Sequence, residues 1–189
     1  MNGLYQTAAQ VQEFCQSRGW QFCFIGGLAY IRWAEPRQTS DVDLTILTGF
    51  QNEEQFISAF FDEFGERIEN AREFALTSRV MLAQSADGTP IDASLGGLPF
   101  EENLVQRASP FEYLPGVELI TASAEDMVVL KAFAGRTRDW ADVEGILVRQ
   151  GDALDWQLVL DELRPLCELK ESPETIDRLV ELRDQLAGE

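Results

Sequence analysis

The sequence predicts an α/β fold, classed as α+β where its helices segregate, that ends in a helical block. Three observations predict it. Apolar or alternating runs of strand length stand at residues 22–25, 41–47, 79–84, 89–95 and 117–121. Apolar positions recur at helical spacing between several of them, and beyond Ser123 only helical spacing remains.

Taken in order, Leu4, Ala8, Val11, Phe14 and Cys15 mark a first helix, and Gly19 follows where a left-handed cap is wanted. Phe22, Cys23, Phe24 and Ile25 form a continuous apolar run ended by Gly26 and Gly27, after which residues 28–33 read as a helix that stops before Pro36. Residues 41–47 alternate with a period of two, so Asp41, Asp43 and Thr45 share one face and Val42, Leu44 and Ile46 the other. Phe56, Phe60, Phe61 and Phe64 lie at helical intervals over 53–64, and Gly65 is expected to close that helix. Asp87-Gly88 is a dipeptide that tight hairpins prefer, and it joins the runs at 79–84 and 89–95. Residues 99–107 form a short helix with Glu101 and Glu102 in its first turn. Ser123 caps an apolar helix that Gly135 breaks, and residues 139–148, 156–167 and 173–186 complete the helical block. Residues 1–121 are thus read as an α/β domain and 122–189 as a helical C-terminal region.

Composition excludes whole classes of chemistry. The 189 residues contain no histidine, which removes Ser-His-Asp triads, His-paired cysteine nucleophiles and HExxH zinc sites. The formal charge of −18 repels a phosphate backbone, so general DNA binding is disfavoured. Apolar residues make up 45% and charged residues 25%, as in a packed globular chain. Cys15, Cys23 and Cys167 are odd in number, lack CxxC spacing and read as reduced core residues. The start at Met1 has no basic or apolar leader, and no run approaches the roughly 18 apolar residues of a membrane span. A cytoplasmic location is expected.

The residues with chemical potential are carboxylates. Side chains at i and i+2 on a strand project to one side, with Cα atoms about 7 Å apart, within reach of divalent ions about 4 Å apart. Asp41 and Asp43 have that spacing, although solvated strand aspartates have it too. Gly26 and Gly27 stand at a strand-to-helix junction, where free backbone N–H groups and the positive end of a helix dipole can hold phosphate oxygens. A tight connection is the plain alternative. Asp92, with Ser94 on the same face and Ile91, Ala93 and Leu95 on the other, is either a general base for an attacking hydroxyl or part of an exposed sheet face.

Phe24-Ile25-Gly26-Gly27, Arg37-Gln38-Thr39-Ser40-Asp41-Val42-Asp43-Leu44, Ile91-Asp92, Glu125-Asp126-Met127-Val128-Val129-Leu130-Lys131 and Arg138-Asp139-Trp140-Ala141-Asp142 together resemble the abortive-infection (AbiEii-like) toxin nucleotidyltransferases. These are related in fold to the minimal, aminoglycoside and lincosamide nucleotidyltransferases. The resemblance spans about residues 20–145. It implies a mixed β-sheet flanked by helices, with Gly26 and Gly27 on the triphosphate and Ser40 assisting. It implies that Asp41 and Asp43 bind Mg²⁺, that Asp92 completes the metal site and activates the acceptor, and that Lys131 contacts the triphosphate. Two Mg²⁺ ions, with Mn²⁺ as substitute, are expected. The family commonly carries Gly-Ser where this chain has Gly26-Gly27, so a hydroxyl is missing there.

The implied reaction moves an NMP group from an NTP to an acceptor hydroxyl and releases pyrophosphate. The acceptor would be a small molecule, a protein or a tRNA, and the charge favours the first two. A toxin would also require an antitoxin partner. Two rivals remain: a non-catalytic nucleotide-binding or protein-interaction module that keeps the fold, and a DxD-dependent glycosyltransferase or hydrolase. Arg136 and Arg138 either serve the same anion as Lys131 or pair with Asp139 and Asp142, and the pairing is expected.

Overall fold

In the computed structural model, which describes residues 2–187, the first apolar stripe forms α1 (Asn2–Ser17), and Gly19 follows with a left-handed φ of 67°. The aromatic run makes β1 (Phe22–Phe24), and α2 (Gly26–Trp33) begins on the glycine pair itself. The alternating segment forms β2 (Val42–Leu47), and the phenylalanine-rich stretch forms α3 (Glu53–Glu63).

Gly65 does not close α3 as expected. Phe64 is the extended C-cap, and Gly65 enters a two-residue strand, β3 (Gly65–Glu66). A helix not read from the sequence, α4 (Ala71–Ser78), follows; left-handed Asn70 and Arg79 bound it instead of glycines, and Phe74 and Leu76 on it are exposed. The hairpin stands as β4 (Val80–Gln84) and β5 (Pro90–Gly96), and α5 (Pro99–Arg107) has the Glu101 carboxylate accepting from the Gly97 and Leu98 N–H groups at 2.7 and 2.8 Å. Then come β6 (Ser109–Leu114), a largely exposed strand that gives no alternating signal, and β7 (Val117–Thr121).

Among the described residues seven strands form one mixed sheet in the order β3-β4-β5-β2-β1-β7-β6. β2 pairs with β5 and β1 with β7 in parallel; the other pairs are antiparallel. Val42, Leu44, Ile46, Met81, Ala83, Ile91, Ala93 and Leu95 bury one core with Ala8 and Val11 of α1 and Ile57, Phe60 and Phe61 of α3. β1 is too short to satisfy β7 along its length. Gln12 of α1 stands in as a strand would, accepting from Ile120 N–H at 2.9 Å and donating to Glu118 C=O at 2.7 Å.

The helical part comprises α6 (Ala124–Ala134), α7 (Thr137–Gln150), α8 (Trp156–Lys170) and α9 (Glu174–Ala187). Ser123 Oγ accepts from Asp126 N–H, and Gly135 terminates α6 with φ 71°. By contacts the chain forms two compact units, Met1–Leu28 with Gln38–Ala122, and Ala29–Arg37 with Ser123–Glu189. The second unit therefore takes in the C-terminal half of α2. Within it, Gln150 and Arg149 donate to the Trp33 and Ala34 carbonyls at 2.6 and 3.3 Å, satisfying that helix end. Cys15, Cys23 and Cys167 are buried and form no disulfide, and burial pushes the Cys15 thiol up to about 12. Among the described residues no helix is long and apolar enough to cross a membrane.

Candidate active site

Strand pairing brings together carboxylates that lie 49 positions apart in the sequence. In the parallel β2–β5 register Asp43 stands opposite Asp92, and Leu82 of β4 stands opposite Asp92 on its other side. Lateral neighbours in a sheet share a face at about 4.8 Å spacing. Asp43, Asp92 and Leu82 therefore form a row, all half-buried, on the face away from the core. Asp41 immediately precedes β2 and accepts a hydrogen bond from Thr39 Oγ1 at 2.9 Å.

The glycine pair has a physical reason here that differs from the expected one. Gly26 has φ 57°, and a Cβ added to it would lie 1.9 Å from Asp43 Oδ2. A Cβ on Gly27 would lie 2.1 Å from Thr39 Oγ1. The space left by the missing side chains is taken by Asp43 and Thr39, which seats the Asp43 carboxylate against the first residue of α2, where the helix dipole favours an anion. Gly27 is buried, Gly26 half-buried and Ser40 exposed.

Asp92 is held by a residue the sequence reading did not single out. Arg67, directly after β3, donates its backbone N–H to Leu82 C=O at 3.0 Å, and its guanidinium Nη2 reaches over to an ion pair with Asp92 Oδ1. The row thus runs Arg67, Leu82, Asp92, Asp43. Burial pushes the Asp92 carboxyl up and the Asp41 charge adds to this; Arg67 opposes both, and the balance stays above the ordinary value. Only the lateral position of an arginine relative to a non-consecutive strand marks it, and that is invisible in a linear sequence.

The carboxylate oxygens of Asp41 and Asp43 are hard donors of the kind Mg²⁺ takes. Among the described residues no three acidic or thiol groups are gathered as an ion would require, and the Asp92 carboxylate is in an ion pair with Arg67. The donor set suits an ion at Asp41 and Asp43, with Asp92 occupied by Arg67.

In the second unit Lys131 pairs with Asp139 at 3.1 Å and Asp142 at 2.9 Å and is only 15% exposed. Asp142 also receives both arms of Arg37, at 2.9 and 2.8 Å, and Arg37 stacks 4.8 Å from the Tyr30 ring. The expected arginine pairing is thus half realised: Arg136 lies 3.5 Å from Asp139, while Asp142 is taken by Arg37 and Lys131, and Arg138 is exposed.

No protein-family model and no curated protein matches the chain. Among solved structures, it is similar to an antigenic nucleotidyltransferase-like protein from Paracoccidioides brasiliensis, at 15% identity and TM-score 0.54, covering 95% of this chain and 93% of that one. It is more distantly similar to the antibiotic-resistance factor ANT(2'')-Ia in solution (16% identity, TM-score 0.43, covering 97% and 92%) and in a crystal with adenylyl-2''-tobramycin (14% identity, TM-score 0.47, covering 97% of each chain). The first likeness, nearly end to end on both chains, carries the assignment: this chain has a nucleotidyltransferase-like fold.

Proposed function

We propose that the chain transfers an NMP group from an NTP to an acceptor hydroxyl. The observation that carries the reading is the β2–β5 register, which sets Asp43 beside Asp92 with Asp41 at the strand entrance, in a chain with this fold. Asp41 and Asp43 would hold Mg²⁺, or Mn²⁺ in its place. A bound ion supplies positive charge against the phosphate oxygens and orients them. The N-terminus of α2, from Gly26 and Gly27, offers backbone N–H groups to the triphosphate, with Ser40 on the exposed side. Asp92, its carboxyl held above the ordinary value first by burial, would accept the acceptor's proton. The acceptor oxygen forms a bond to the α-phosphorus, the bond to the β-phosphate oxygen breaks, and pyrophosphate leaves. With a net charge of −18, a small molecule or protein hydroxyl is the favoured acceptor over tRNA.

The test is calorimetric titration of the four NTPs, with Mg²⁺ and then with EDTA, against wild type and Asp41→Ala/Asp43→Ala, followed by a pyrophosphate assay. Metal-dependent binding that disappears in the variant is the expected result, and equal binding in both overturns the site.

A second reading has its own observation: Asp92 is paired with Arg67, and among the described residues no three acidic groups are gathered as an ion would require. It makes the chain a nucleotide-binding or interaction module, and predicts NTP binding with no pyrophosphate. A toxin role, added by the abortive-infection resemblance, predicts that expression arrests growth, that Asp43→Asn abolishes the arrest, and that a partner antitoxin relieves it.

A further inference from the structure

The row Arg67, Leu82, Asp92, Asp43 crosses four positions of the same sheet face, and the two central strands fix its order. Arg67 is anchored at both ends. Its backbone N–H bonds to Leu82 C=O at 3.0 Å, which ties the residue to β4, and its guanidinium spans Leu82 to meet Asp92. The pair is sheltered, with the arginine side chain 26% exposed and the aspartate 33%. A fixed, delocalised charge in such a place keeps a cation beside the carboxylate, because guanidinium does not lose its proton.

We propose that Arg67 is the resident cation of this site: it takes the place of a second divalent ion at Asp92, so the chain holds a single ion at Asp41 and Asp43. The inference rests on the nucleotidyl-transfer reading of the site, but departs from a two-ion arrangement. Electrostatics supplies the reason. The Asp92 carboxylate is already in an ion pair with the guanidinium, so a divalent cation sharing that carboxylate would meet a like charge at close range, and such charges repel strongly in a half-buried setting. Arg67 also keeps Asp92 from being an unpaired, partly buried anion next to Asp41, a condition that costs stability. Arg67 is therefore a positioning residue: it orients Asp92, and Asp92 meets the acceptor.

The experiment is a Mn²⁺ titration of the nucleotide-free full chain, read by electron paramagnetic resonance, on wild type, Asp92→Asn, Arg67→Met, Arg67→Lys, Arg67→Met/Asp92→Asn and Asp41→Asn/Asp43→Asn. Wild type is expected to take a single ion, and Asp92→Asn to leave that titration unchanged. Arg67→Met is expected to gain a second ion, bound about tenfold or more tightly than any second ion of wild type. Arg67→Lys, which keeps the charge, should behave as wild type, and the added ion should vanish in Arg67→Met/Asp92→Asn. A wild type that binds two ions, or a loss of the single ion in Asp92→Asn, overturns the proposal without using an Arg67 variant. A wild-type ion that is lost in Asp41→Asn/Asp43→Asn, together with no added ion in Arg67→Met, overturns the Arg67 role and leaves the site reading standing. No Mn²⁺ on any variant overturns both.

Discussion

At Gly26 two constraints meet in one residue: a left-handed φ of 57° and an Asp43 carboxylate in the space a Cβ would fill. Gly26→Ala adds backbone strain of about 1–2 kcal/mol and must also displace Asp43. It is expected to lower stability in urea by about 2–3 kcal/mol and to weaken Mg²⁺-dependent NTP binding together with it. Asp142 is the corresponding point of the second unit. Burial alone pushes its carboxyl up, but the hydrogen bonds and charges of Arg37 and Lys131 outweigh this and hold it below its ordinary 3.8. A carboxyl depressed by folding contributes stability that is complete above its unfolded value and lost as pH falls through the folded one. Asp142→Asn should therefore cost about 2–4 kcal/mol at neutral pH, and the gap to wild type should narrow below about pH 4. A gap that stays constant with pH would show that the charge is not what Asp142 contributes.

Among the elements, the α4–β4 junction depends on a long-range device. Arg79 ends α4 in a left-handed conformation that arginine rarely adopts, and its guanidinium compensates. It donates to Leu95 C=O at 2.6 and 3.0 Å and to Gly49 C=O at 3.0 Å, pairs with Glu53, and lies 4.5 Å from the Phe50 ring. It thus joins the start of β4 to the end of β5 and to the loop after β2. Arg79→Ala removes the guanidinium donors of the Leu95 and Gly49 carbonyls and the pair with Glu53, and is expected to cost about 2–4 kcal/mol by thermal or urea unfolding. Arg79→Lys should recover only part of it, since a point charge lacks the planar fork. The sequence shows Arg79 only as the first residue of a strand, because the carbonyls it serves lie 16 and 30 positions away. β3 is hidden for a related reason: two residues are too short for any period, and it exists only because β4 offers an edge.

Over the whole molecule the charge of −18 is the dominant long-range term. Self-repulsion of that size opposes a compact state, and salt screens it over a Debye length of about 10 Å at 0.1 M. Raising NaCl from about 20 to about 500 mM is expected to raise the melting temperature by several degrees, read by calorimetry. An unchanged or falling value would mean that local pairs such as Lys131 with Asp139 and Asp142 outweigh the global repulsion. The core under the sheet is insensitive to this field. Phe60, fully buried and edge-on to Phe14, should cost about 3–5 kcal/mol on truncation to alanine at either salt concentration.

Much of the fold was legible because local periodicity is a property of chain neighbours. The alternation at 41–47 put Asp43 opposite Val42, Leu44 and Ile46, and so away from the core, before any partner strand was known. Ser123 and Gly135 bounded α6 by hydrogen-bond and φ requirements that need no tertiary contact. Likewise the hairpin around Asp87-Gly88 was written in its turn. What only the tertiary structure decided is lateral. That β2 lies beside β5 sets Asp43 next to Asp92, that β3 joins the edge of β4 brings Arg67 across Leu82, and that Arg37 reaches Asp142 spans 105 positions. Strand order and distant ion pairs are chosen by which apolar faces bury together, and that choice belongs to the whole chain rather than to any window of it.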